Sequence, residues 1–188
     1  MKTLKSRLSL KVEIPSQLHT EQLPIPKDSS VNECSLITDN IYISGYKYSI
    51  DYNYLKKNNF THIINCAGGS NYFIPIKFND FSYYTINLRD DSSSSIIEAI
   101  MWFLSFMHNI KSNNPNSKIL VHCAEGISRA PALMCSYLMW KMNIDSKTAM
   151  NIIKEKRSCI DINIGFIFQL DSLRKDMLNN IKNQFNRL

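Results

Sequence analysis

The stretch KILVHCAEGISRAPALMCSYLMW, residues 118–140, places a cysteine, a glycine, a serine and an arginine between an apolar run and an amphipathic one. An apolar strand that feeds a glycine-containing loop and then a helix makes an anion site. Backbone N–H groups of the loop converge on one oxyanion, and the helix N-terminus adds its positive dipole end. Cys123 ends the strand, so its sulfur is expected at the floor of that cradle, where the same field favours the nucleophilic thiolate. Gly126 permits loop geometry that a side chain would hinder. Arg129, six residues after Cys123, can bring a planar, permanently charged fork back onto two phosphate oxygens. Ser128 can donate a hydrogen bond to the sulfur and improve it as a leaving group. His122 is expected to orient the loop from behind without carrying a proton. The phosphate would be held by Ala124, Glu125, Gly126, Ile127, Ser128 and Arg129. Taken singly, Cys123 reads as a buried strand-end cysteine and Arg129 as a surface residue. The pattern HCxxGxSR fixes five residue types, and by average usage its chance occurrence in a chain of this length is on the order of 10⁻⁵.

The elements that must position this loop follow from periodicity. Strand-like runs cover Ile41 to Ser44, His62 to Cys66, Tyr83 to Leu88 and Lys118 to His122. Helical patterns cover Ser49 to Lys57, Ser94 to Ile110, Ser128 to Met142, Ser146 to Lys156 and Gly165 to Ile181, several opened by a serine suited to an N-cap. Alternating strands and helices predict an α/β domain: a mainly parallel central sheet of about five strands flanked by helices. The first 33 residues carry Pro15, Pro24 and Pro26 and little apolar periodicity, so they read as an N-terminal extension. The domain is expected over 34–182, with 183–188 as a tail. In the extension, Lys5 and Arg7 precede the alternating Leu8 and Leu10. That pattern suits either a docking peptide for an acidic groove, as on a kinase, or a loosely ordered tail.

HCAEGISRA resembles the signature loop of the cysteine-based phosphatases, and the chain around it, over roughly 34–180, resembles their dual-specificity branch. SLITDNIYISG is similar to that family's opening strand pair, THIINCA to its next strand, and KRSCIDINIGFIFQL to its closing segment, with Asn163, Gly165 and Phe166 at matching places. Ser158 and Ile162 depart from the family's usual prolines, and Ala130 from its usual serine.

The resemblance implies hydrolysis of phosphotyrosine and phosphoserine or phosphothreonine through a phosphocysteine intermediate, with no metal and no cofactor. Expelling an ester oxygen requires a proton donor. In the family an aspartate lies about six residues before the first apolar residue of the long helix. Counting back from Ile96 in INLRDDSSSSIIEAI reaches Asp90, with Asp91 as the adjacent competitor. An ionised thiol working with a protonated carboxyl predicts a bell-shaped pH profile on the acidic side of neutral.

Composition sets the outer limits. The 188 residues are 44% hydrophobic and 20% charged, as in soluble domains, and fit one globular unit. The net charge of +6 favours acidic partners such as phosphorylated proteins. The basic residues are scattered without aromatic interleaving, which argues against nucleic acid. The five cysteines form no CxxC pair and no zinc-ligand spacing. The first residues have no apolar signal core, and no stretch nears 18 apolar residues, so neither secretion nor a membrane span is expected. A monomer in cytosol or nucleus follows as the expectation. His62 and His108 are assigned no role, and Leu133, Met134, Leu138 and Met139 read as core packing. Cys66 falls at a strand end near the loop, where some relatives trap the oxidised nucleophile as a disulfide; a small buried apolar residue is the plainer reading.

Two further functions compete. One is a phosphatase of a phosphoinositide, an RNA 5′-phosphate or another non-protein substrate, against which Glu125 would repel a multiply charged headgroup. The other is a non-catalytic phosphoresidue-binding module.

Overall fold

The computed structural model describes residues 32–68 and 76–173. The docking pattern of the N-terminal extension and the 183–188 tail lie outside them.

Strands β1 (Ser35–Thr38) and β2 (Ile41–Ser44) form an antiparallel hairpin, turned by Asp39 and Asn40 at φ of 40° and 64°. Positive φ at both central residues gives the turn the twist that two-residue hairpins favour, and Asp and Asn tolerate it. Strands β3 (His62–Asn65), β4 (Ser82–Thr85) and β5 (Ile119–His122) complete a five-stranded sheet in the order β1-β2-β5-β3-β4. Every pairing except β1 with β2 is parallel.

β5 lies in the middle, between β2 and β3, and all four of its residues are buried. Alternation sends Ile119 and Val121 into the larger core cluster and Leu120 into the smaller one on the opposite face. The smaller cluster sits under α1 (Tyr46–Ser49) and α2 (Tyr52–Lys57), where Leu55 packs with Phe60, Ile63 and Phe81. The larger one sits under α3 (Ile97–Asn113), α4 (Arg129–Met142), α5 (Ser146–Lys156) and α6 (Ile164–Ser172). Phe103 and Phe166 are wholly buried in it, each contributing roughly 2 kcal/mol of apolar burial. The predicted packing positions Leu133, Met134, Leu138 and Met139 are buried there too.

The predicted architecture therefore holds, with local differences that have physical causes. The helix expected over Ser49 to Lys57 is split, because the Asp51 carboxylate accepts from the Tyr54 amide and starts α2 afresh. β4 ends at Thr85 although its apolar pattern continues, and Ile86 and Leu88 bury their side chains outside the ladder. α3 begins at Ile97 and not at Ser94, because Ser93 and Ser94 are drawn into a turn around Asp91. α5 keeps its expected span, but its cap is Asp145 and not a serine. α6 starts at Ile164, and its predicted continuation past residue 173 lies outside the described residues. No described helix is long and apolar enough to cross a membrane.

Candidate active site

Parallel strands β2, β5 and β3 end side by side, and the loop 123–128 leaves the sheet at that edge, where open α/β sheets place their ligands. It runs directly into α4, which aims its N-terminus at the loop. A cleft of about 600 Å³ opens above, lined by Asp90, Cys123, Ser128 and Arg129 among others.

The loop is held by its carbonyl oxygens. Ala124 O accepts from the Tyr46 amide at 2.8 Å and Ile127 O from the Asp161 amide at 3.0 Å. Glu125 O and Gly126 O accept from Arg157, at 2.9 Å from Nη2 and 2.8 Å from Nε. Four successive carbonyls thus bond to the surrounding scaffold, which frees the N–H groups of the loop to face the cleft. Gly126 makes this course possible: its φ is 71°, and a Cβ there would lie 2.5 Å from Ser44 O and 2.9 Å from Arg157 Nη2.

Arg157, which sequence reasoning did not single out, is the central strut. It is 0% exposed, and its Nη1 also donates to Glu33 O at 2.8 Å and to Ser35 Oγ at 3.2 Å. One guanidinium therefore ties the loop to the start of β1, and its charge lies on the outer side of the loop carbonyls, where it favours an anion in the cleft.

Cys123 is 3% exposed, and its Sγ accepts from the Gly126 amide at 3.2 Å. Arg129 comes from the first turn of α4, and its Nε lies 3.3 Å from Asp90 Oδ2 as an ion pair. Asp90 Oδ1 also accepts from Ser128 Oγ at 2.6 Å and from Asn163 Nδ2 at 2.8 Å. Asn163, the N-cap of α6, thereby fastens the aspartate loop to the closing segment. Gly165 allows this approach, since a Cβ would fall 2.0 Å from Ser92 O.

One expectation changes. The Ser128 hydroxyl, expected to donate to sulfur, donates to Asp90, because a carboxylate is a stronger acceptor than sulfur. Asp91 faces away from the cleft: its carboxylate accepts from Ser93 N, Ser93 Oγ and Ser94 Oγ, and these bonds hold its pKa below the usual carboxylate range. Cys66, just past β3, is fully buried, and burial pushes its thiol up, with the neighbouring Cys123 adding to the effect. Among the described residues no cluster of three or more His, Cys, Asp or Glu could hold a metal.

His122 is buried behind the loop, with Nδ1 3.2 Å from Cys123 O. The carbonyl can only accept, so Nδ1 carries the hydrogen. Burial, reinforced by Arg129 and opposed by that hydrogen bond, pushes its titration down to about 4. The folded state thus binds fewer protons than the unfolded chain between pH 4 and about 6.5. The stability contributed by neutral His122 is complete above pH 6.5 and is lost as pH falls through 4, roughly 3 kcal/mol in all. His122→Gln should flatten that part of the acid limb. Urea midpoints of both proteins at pH 7 and pH 4.5 check this, and parallel declines would refute it.

Comparison with known proteins agrees with this geometry. The family model "Dual specificity phosphatase, catalytic domain" matches residues 41–176. The chain is similar to Dual specificity protein phosphatase 1 of Arabidopsis thaliana, 30% identical over 146 residues that cover 78% of this chain and 71% of that protein. It is also similar to Protein-tyrosine-phosphatase MKP1 of the same plant, 33% identical over 144 residues, 76% of this chain but 18% of the relative. The "Probable rhodanese domain-containing dual specificity protein phosphatase" of Dictyostelium discoideum, 30% identical, is likewise spanned over 30% of its length. The crystal structure of DUSP15 shares the fold, with a TM-score of 0.72 at 22% identity over 82% of this chain and 95% of that one.

Proposed function

Because the chain belongs to the dual-specificity phosphatase family, we propose that it hydrolyses phosphotyrosine and phosphoserine or phosphothreonine esters in proteins through a phosphocysteine. The observation that carries this reading is the convergence of Cys123, Arg129 and Asp90 on one cleft whose loop carbonyls all point outward. In the first step the Cys123 thiolate attacks phosphorus, the P–O ester bond breaks, and protonated Asp90 gives its proton to the leaving oxygen. In the second step the Asp90 carboxylate takes a proton from water, the water oxygen bonds to phosphorus, and the S–P bond breaks to return the thiolate. Arg129 and the loop amides hold the equatorial oxygens throughout. Ser128 and Asn163 position Asp90 over the loop.

Asp90→Asn tests the assignment. It should lower kcat for a phosphotyrosyl peptide by about 10²- to 10³-fold, and much less for a nitrophenyl phosphate, whose leaving oxygen needs little protonation. An equal loss on both substrates, or turnover that depends on an added divalent metal, would sink the mechanism. Protein substrates are favoured over polyanionic headgroups because the acidic Glu125 is among the residues that line the cleft.

A further inference from the structure

The mouth of the cleft is chemically lopsided. Beside Arg129 the cleft is lined by three acidic residues, Asp90, Glu125 and Asp161, and by four isoleucines: the buried Ile162, and Ile127, Ile164 and Ile167. Asp161 is held next to the loop through its amide bond to Ile127 O. Neither Glu125 nor Asp161 is ion-paired among the described residues, in contrast to Asp90. The isoleucines continue onto α6, where Ile164, Ile167 and Phe168 stand at i, i+3 and i+4 and so share one face. Phe168 is 64% and Ile164 56% exposed, the highest values among the exposed large apolar side chains of the described residues.

Scattered exposed apolar residues are ordinary, but a contiguous ledge that runs out of a catalytic cleft is a different feature. Four residues along a helix cover about 6 Å, which matches two residues of extended chain. We propose that Ile164 and Phe168 form a subsite for a bulky apolar residue one or two positions from the phosphoresidue, and that Glu125 and Asp161 select a lysine or arginine on its other side. This rests on the protein-phosphatase reading above and narrows it to a substrate class. The sign is opposite to what the whole-chain charge of +6 suggests. Acidic and multiply phosphorylated segments should be poor substrates, because their second charge meets the carboxylates rather than a cation.

The experiment compares three phosphotyrosyl peptides that differ only in their neighbours: apolar plus lysine, serine plus lysine, and apolar plus glutamate. Each kcat/KM is divided by that for nitrophenyl phosphate measured on the same protein. The wild-type enzyme should rank the first peptide about tenfold above each of the others, through KM. Phe168→Ser should erase the advantage over the serine peptide, and Asp161→Asn should shrink the advantage over the glutamate peptide. Added salt should weaken the second effect and spare the first. Ratios equal within twofold across the peptides, or unchanged in Phe168→Ser, overturn the proposal. Absence of nitrophenyl phosphate turnover in the wild type would instead count against the catalytic reading. The same ranking is then read from peptide binding by fluorescence anisotropy, and a flat ranking there overturns the subsite.

Discussion

Cys123→Ser is expected to lose turnover of every phosphate ester by about 10⁴-fold or more while the protein still folds and still binds phosphate. The reasoning starts from the sulfur's surroundings. Its Sγ accepts the Gly126 amide and shares a cleft with Arg129, so the site favours an anion at that position. A serine hydroxyl at neutral pH is not an anion, and neither candidate base serves it: Asp90 enters the first step already protonated, and His122 lies behind the loop with its Nδ1 hydrogen committed to the Cys123 carbonyl. The oxygen therefore fits the space and cannot attack. Phosphate binding should persist or tighten, because a thiolate next to a dianion is replaced by a neutral group. Nitrophenyl phosphate kinetics measure the first claim, and isothermal titration with inorganic phosphate measures the second. Turnover retained in the variant would remove Cys123 from the mechanism. Loss of phosphate binding together with turnover would mean that the sulfur holds the loop together rather than doing its chemistry.

What could be read from the sequence was the part of the site that is local in the chain. Cys123, Gly126, Ser128 and Arg129 lie within seven residues, so one contiguous pattern could specify the cradle. Asp90 was reachable only because its spacing to Ile96 resembles a family. Why it and not Asp91 faces the cleft depends on Asn163, 73 residues away, and on the serines that turn Asp91 aside. Arg157 was invisible for the same reason. KRSC reads as a charged helix end, and its burial appears only when the loop carbonyls, 31 and 32 residues earlier, fold over it. Strand identities followed from apolar runs, but the central place of β5 depends on crossovers that periodicity does not encode. Capping residues were misread where serine competed with aspartate, which moved the start of α2 and left that of α5 in place. A carboxylate caps an N-terminus about as well as a serine and adds a charge that suits the dipole, as at Asp51 and Asp145.

Arg157→Met should prove nearly as damaging to catalysis as changes in the cleft itself, although Arg157 is wholly buried. Methionine fills much of the volume but leaves Glu33 O, Glu125 O, Gly126 O and Ser35 Oγ without their donors. Buried acceptors stripped of a charged donor cost about 3–5 kcal/mol for the group, a large share of the roughly 5–15 kcal/mol that holds a domain together. The urea midpoint should fall accordingly. Activity should fall further than stability explains. Two of those carbonyls belong to the loop, and once unbonded they can rotate inward, replacing N–H donors with oxygens that repel the phosphate. A misplacement of about 1 Å at such a site costs on the order of 10²-fold in rate, so kcat/KM of the still-folded fraction should drop by at least about that factor. Arg157→Lys separates geometry from charge: it keeps the cation but cannot serve Glu125 O and Gly126 O on one side and Glu33 O on the other with one planar fork. Stability should recover in part while the rate stays low. Should Arg157→Met lose stability yet keep wild-type kcat/KM where near-ultraviolet circular dichroism shows it folded, the guanidinium would be a packing element, and the loop would hold its shape through the Tyr46 and Asp161 amides alone.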